Sequence, residues 1–206
     1  MANVFNPQLF GEVFVTLTVI MDPLGTVPIF LGLTRGRSRK ERAKLAWQAV
    51  AVAGFVIGLF AVFGQAILDY LGITVPALQG AGGLLLSIVA LELLTDRQDD
   101  PIERPDVNVA LVPLGTPLLA GPGAIVATIV FVQDTKNAAD VVSLVAGMVA
   151  VLAILWLVLR FSSGVIRLIR ESGVQLVTRI FGLLLSAIAV QLIAESIRGF
   201  IRQGLG

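Results

Sequence analysis

In 206 residues this chain carries 56% hydrophobic and only 14% charged residues, with a mean hydropathy of +0.92. A soluble surface needs charged residues at about 25% of the chain, so the composition is that of a membrane protein. The net charge of +1 gives no basic footprint for nucleic acid, and the absence of His and Cys removes disulfides, thiolate metal sites, imidazole acid–base chemistry and Ser-His-Asp triads.

A spanning helix needs about 20 mostly apolar residues, and six segments meet that rule. They run from Gln8 to Leu33, Leu45 to Leu68, Pro76 to Leu94, Val109 to Val132, Val141 to Leu159 and Leu176 to Phe200. The first lacks the positively charged start of a cleavable signal peptide and continues through Asp22-Pro23, so it is expected to be a mature span. The longest polar connection, Thr95 to Val107, is acidic and too short to form a soluble domain. Twelve of the fifteen Lys and Arg residues fall in the loop after segment one, in this linker, or between the end of segment five and the first turn of segment six; Lys136, Arg198 and Arg202 fall on the other side. Positive charges stay in the cytoplasm, which predicts both termini outside a plasma (inner) membrane.

Pro23 and Pro122 lie 99 residues apart, each in the middle of an apolar run. The same offset relates Gly83-Leu-Leu-Leu-Ser87 to Gly182-Leu-Leu-Leu-Ser186, within a stretch where seven of twelve positions are identical. One offset serving two places marks an internal duplication. Segments two and five show no comparable identity. Each half has three spans, an odd number, so the halves must cross the membrane in opposite senses. The predicted fold is an all-α membrane protein with two inverted three-helix repeats, residues 1–95 and 108–206, joined by an acidic cytoplasmic linker at 96–107. Helices one and four are broken.

Asp22 is the one acidic residue near the middle of a predicted span, where a charge is costly and faces a cavity or a partner. Pro23 removes a backbone donor, and Gly25, Thr26 and Pro28 loosen or polarise the same stretch. The alternative structural reading makes Asp22 the N-cap of a helix restarting at Pro23. In segment four, Pro113, Pro117, Gly121, Pro122 and Gly123 are too many breakers for a regular helix, and two half-helices meeting near Gly121 would present amides to an anion. Ser87 and Ser186 occupy equivalent positions and could bond a ligand, a neighbouring helix or their own backbone. Glu195 and Arg198 are expected to form an exposed ion pair.

The segments Asp22-Pro-Leu-Gly-Thr-Val-Pro28, Pro113-Leu-Gly-Thr-Pro117 leading to Ala120-Gly-Pro-Gly-Ala124, and Gly182-Leu-Leu-Leu185 resemble the MarC family of six-span membrane proteins, over nearly the whole chain. The resemblance implies an inner-membrane protein. Some relatives are regarded as transporters of small neutral amino acids such as glycine and alanine, driven by a cation gradient.

The reading drawn from the residues and the resemblance together is a secondary transporter of small neutral amino acids, coupled to H⁺ or Na⁺. Its substrate would lie mid-membrane between Asp22, Pro23, Gly25, Thr26 and Pro28 on one side and Pro117, Gly121, Pro122 and Gly123 on the other. Ser87 and Ser186 are further candidate ligands. No cofactor, resident metal or enzymatic activity is expected. The partners are a small-molecule substrate and the lipid bilayer, with oligomerisation left open. The rivals are an exporter or uncoupled facilitator of another small solute, and a non-transporting membrane subunit.

Overall fold

The structure is a computed structural model that describes residues 5–34, 36–95 and 119–204. The acidic linker at 96–107, Pro113 and Pro117 lie outside the described residues. All regular structure among the described residues is helical: α1 (Pro7–Met21), α2 (Thr26–Leu33), α3 (Arg39–Leu71), α4 (Val75–Thr95), α5 (Pro122–Asp134), α6 (Ala138–Arg160) and α7 (Ser162–Gly204).

Four helical stretches are long and apolar enough to cross a membrane: α3, α4, α6 and the Ser172–Gly204 part of α7. The pair α1 and α2, bent by 49° at the break between them, makes a fifth if taken as one span. Of the remaining expected segment, the fourth, α5 is the described helix; its 13 residues rise about 20 Å against a hydrocarbon core of about 30 Å. Phe55, Val62, Leu84, Leu91, Val149, Leu183 and Val190 are exposed, the apolar exterior that lipid requires.

The first predicted segment divides because Asp22 ends α1 in the left-handed conformation, with φ 36° and ψ 72°. Asp and Asn are among the few residues besides glycine that tolerate this region. Pro23 then has no N–H to continue the ladder. The next helix restarts at Thr26, not at Pro23 as a capping Asp22 would have it. Helix α3 begins six residues before the predicted segment two, because Ser38 and Glu41 form a reciprocal capping box over its charged first turn. The stretch before segment six, expected as a loop, is helical too. It is separated from the span by a break at Arg170, where φ is 61° and ψ is 163°.

Packing divides the helices into two bodies. Leu17, Met21, Ile57, Val151 and Leu155 of α1, α3 and α6 form the larger core, joined by Phe30, Leu119 and Ala124. Leu86, Ala90, Leu185, Ala189 and Leu192 of α4 and α7 form the smaller one with Val19. Ile20 packs against both.

Two equivalent glycines close the α4–α7 contact. A Cβ at Gly83 would stand 2.8 Å from the Ala189 carbonyl oxygen and 2.6 Å from Ile193 Cγ1. A Cβ at Gly182 would stand 3.3 Å from the Ala90 carbonyl oxygen and 3.1 Å from Leu93 Cβ. Such close backbone approach between membrane helices requires small residues. Gly83→Ala is therefore expected to destabilise the protein by about 1–3 kcal/mol through overpacking. Gly58→Ala, on a helix face where a Cβ meets nothing within 4 Å, is expected to be neutral or slightly stabilising. Melting of the two purified variants in detergent tests this; equal melting temperatures would remove the role assigned to Gly83.

Candidate functional site

The α1–α2 break satisfies its own backbone. The Asp22 N–H donates to the Thr18 carbonyl at 3.1 Å, and the Asp22 carbonyl accepts from the Thr26 N–H at 3.1 Å. Asp22 Oδ1 accepts from the Gly25 N–H at 3.0 Å, and the Thr26 hydroxyl donates to the Pro23 carbonyl at 2.9 Å. Thr26 is thus placed at the break, with its hydroxyl engaged by the turn.

The second carboxylate oxygen is different. Asp22 is 5% exposed, yet its Oδ2 is buried and has no hydrogen-bond partner among the described residues. The Thr18 and Thr178 hydroxyls share that condition. Thr18 lies one turn before Asp22 on the same face of α1, and Thr178 comes from the α7 span. A Cβ at Gly25 would collide with the Asp22 carboxylate and stand 2.9 Å from Thr178 Oγ1. The space that holds the carboxylate exists because residue 25 has no side chain. A buried polar atom left unpaired is costly, and here the nearby hydroxyl is that of Thr178. No group of three or more acidic residues able to hold a metal ion occurs among the described residues.

The start of α5 lies against α1 beside the first break. Gly121 is the N-cap of α5, and its carbonyl accepts from the Ala124 and Ile125 amides at 3.0 and 3.2 Å. Pro122 occupies the first helical position, where its missing N–H costs nothing. A Cβ at Gly123 would collide with the Leu86 side chain and stand 3.4 Å from Ile20 Cγ2, two residues from Asp22. Further along α5, Thr128 is fully buried and its hydroxyl has no partner among the described residues.

Other sequence candidates stand apart from this arrangement. Pro28 is exposed in the first turn of α2. Ser87 Oγ donates to the Gly83 carbonyl at 2.8 Å and Ser186 Oγ to the Leu183 carbonyl at 2.7 Å, so both hydroxyls serve their own helices. Pro117 lies outside the described residues. Glu195 accepts from Gln191 at 2.7 Å and Gln79 at 3.5 Å, in place of the expected Arg198 pair. Thr18, Thr128 and Thr178 escaped the sequence reading, because a threonine in an apolar span is ordinary. The one available signal was that Thr178 and its counterpart Gln79, 99 residues earlier, are both polar.

A family model described as MarC family integral membrane protein matches residues 7–201. The chain belongs to the MarC family. It is 36% identical over 199 residues to a UPF0056 membrane protein of Methanocaldococcus jannaschii, covering 93% of this chain and 97% of the relative. It is 30% identical over 199 residues to the UPF0056 membrane protein YvbG of Bacillus subtilis, covering 91% and 93%. It is 34% identical over 214 residues to the UPF0056 inner membrane protein MarC of Escherichia coli, covering 95% and 96%. No solved structure matches it.

The steric link between Gly25 and Asp22 is testable in this MarC-family chain. Gly25 has ordinary helical angles, φ −65° and ψ −28°, so alanine suits its backbone, and the methyl group is opposed first by the Asp22 carboxylate and then by the Thr178 hydroxyl. Gly25→Ala is expected to cost about 1–3 kcal/mol by overpacking. Asp22→Gly, which keeps the left-handed conformation open, is expected to recover most of that loss when combined with it. A double-mutant cycle by thermal melting reads the coupling, and strict additivity would refute the contact.

Proposed function

We propose that this protein is a secondary transporter of small neutral amino acids, of the glycine and alanine class, in a plasma (inner) membrane. The observation that carries the proposal is the buried, unpartnered Oδ2 of Asp22 beside the Thr178 hydroxyl, at a helix break whose neighbour Ile20 meets Gly123 at the start of α5. A zwitterion needs a negative and a positive pole. Asp22 supplies the first, for an ammonium group or a coupling H⁺ or Na⁺. The N-terminus of α5 at Gly121–Gly123 supplies the second, carrying about half a positive charge from the helix dipole. Binding at discontinuous helices near mid-membrane is how many secondary transporters hold substrate and ion.

The proposed architecture is six spans in two inverted three-helix repeats, with both termini outside. Three relations at the 99-residue offset support it. Gly83 packs on the Ala189 carbonyl as Gly182 packs on the Ala90 carbonyl. Ser38 and Glu41 cap α3 as Asn137 and Asp140 cap α6; the Asn137 side chain accepts from the Asp140 N–H at 3.0 Å. Helix α1 packs on α6 as α5 packs on α3, while α4 and α7 pack on each other. Exchanging the halves leaves this set of partners unchanged. No enzymatic activity is proposed, since a single mid-span carboxylate without His or Cys lacks a catalytic partner.

Uptake of labelled glycine and alanine by purified protein in liposomes, with H⁺ and Na⁺ gradients imposed separately, tests the proposal. Wild-type uptake is expected to follow one gradient. Asp22→Asn is expected to lower it by about tenfold or more, the scale of a lost hydrogen bond to a charged group. Absence of uptake under both gradients would overturn the transport reading. Uptake unchanged in Asp22→Asn, with the same cation dependence, would overturn the role of Asp22.

A further inference from the structure

At the opposite end of the bundle from the α1 N-terminus, a groove of about 800 Å³ opens between the start of α3, the end of α6 and the start of α7. Five cationic residues line it: Arg39, Lys40, Arg42, Arg160 and Arg167. No carboxylate lines it among the described residues. The nearby Glu41 is engaged in the cap of α3, accepting from the Ser38 N–H at 2.8 Å. Arg42 is held in place, its Nε donating to the Thr34 carbonyl and its Nη1 to Ser163 Oγ, both at 3.3 Å. Arg160 lies over the Phe161 ring, 5.4 Å from its centroid. This concentration of like charge exceeds what a topology signal needs, and drawing it into one concave site is unfavourable unless an anion offsets it.

The surroundings of the groove place it at headgroup level. Trp47 and Trp156 meet edge to face, 6.5 Å between ring centroids, and Trp47 is 61% exposed. Trp47 lies eight residues beyond Arg39, about 12 Å along α3, and Trp156 four residues before Arg160, about 6 Å along α6. Exposed tryptophans mark the membrane–water boundary. Between Ser162 and the break at Arg170, α7 alternates Arg167 and Arg170 with apolar residues, and Leu168 is 85% exposed. A short segment of that composition, broken away from the span that follows, suits the plane of the interface.

We propose that this groove binds the phosphate headgroup of an anionic phospholipid carrying more than one negative charge, of the cardiolipin or phosphatidic acid class. Arg39, Lys40, Arg160 and Arg167 meet the phosphate oxygens, Arg42 and Ser163 form the floor, and the acyl chains leave past the tryptophan pair. Basic pockets between membrane helices are suited to such headgroups. The proposal does not depend on what the protein transports.

The two tryptophans are the only ones in the chain, and both flank the groove, so they report on it directly. Full-length protein in detergent is titrated with cardiolipin or phosphatidylcholine bearing brominated acyl chains, and tryptophan fluorescence is followed. Cardiolipin is expected to quench at a concentration at least about tenfold lower than phosphatidylcholine. The preference is expected to be lost in Arg160→Gln/Arg167→Gln and in Arg39→Gln/Lys40→Gln, each made separately so that one misfolded variant leaves the other informative. It is expected to persist in Arg198→Gln/Arg202→Gln. Equal quenching by the two lipids, or an undiminished preference in both groove variants, would overturn the proposal. Displacement of cardiolipin by an equal concentration of pyrophosphate would also overturn it, by identifying a soluble phosphate as the occupant. So would a cardiolipin preference that emerges only after Asp96, Asp99, Asp100, Glu103 and Asp106 are changed to Asn or Gln, since the chain's own linker would then be what the groove holds.

Discussion

Hydrocarbon offers no hydrogen-bond partners, so a membrane helix can be broken only where the break satisfies itself or is satisfied by protein. Asp22 resolves this at Pro23. Its left-handed backbone closes α1, its carbonyl and Oδ1 take the amides of the following turn, and Thr26 returns a hydroxyl to the Pro23 carbonyl. A break made this way needs nothing further for stability, and a neutral Asn could make the same Oδ1 contact. What a purely structural kink does not explain is the second oxygen, buried without a partner in a space that Gly25 keeps clear and the Thr178 hydroxyl borders. A buried oxygen without a partner costs about 1–3 kcal/mol, and that cost is understandable if the oxygen is meant for something that comes and goes.

The position of the break within the packing gives that oxygen mechanical meaning. The α1, α3, α6 core and the α4, α7 core are separate clusters, and Val19, Ile20 and Leu86 lie where they meet. Gly123 of the second break is wedged between Ile20 and Leu86, while Asp22 faces Thr178 of the opposite body. The glycine contacts make α4 and α7 a tight pair, with little freedom between them. A change in the angle between the bodies would therefore act first on the Asp22–Thr178 and Ile20–Gly123 contacts, the places where substrate and ion are proposed to sit.

The sequence made the α-helical membrane class, the MarC family, the break at Asp22-Pro23 and the start of α5 at Pro122 legible, because apolar length, Asp22-Pro23 and Gly121-Pro122-Gly123 are local signals. The restart at Thr26 was not legible: it depends on Asp22 adopting φ 36°, which composition does not reveal. For Ser87 and Ser186 the bond to the helix's own carbonyl was among the readings the sequence offered, and it is the one the structure shows. The likeness of the α3 and α6 caps was hidden as well. It resides in capping pairs of different chemistry, Ser38 with Glu41 and Asn137 with Asp140, that identity does not detect and hydrogen-bond geometry does. Thr178 became visible only when α7 was brought against the α1–α2 turn.

Within the proposed inverted repeat, the chemical differences between the halves are informative. At the 99-residue offset Asp22 corresponds to Gly121 and Thr178 to Gln79, so the duplicated geometry is occupied by unlike groups. Two carboxylates at neighbouring breaks would repel each other, and one would be neutralised. A glycine at position 121 instead leaves the start of α5 with the positive end of its dipole as the dominant charge, the pole that the proposed function sets against Asp22. Duplication with inversion can set two breaks face to face, but by itself it makes them alike. The divergence at positions 22 and 121 gives the pair a direction, and a small solute bearing both charges is the ligand class that such a direction can orient.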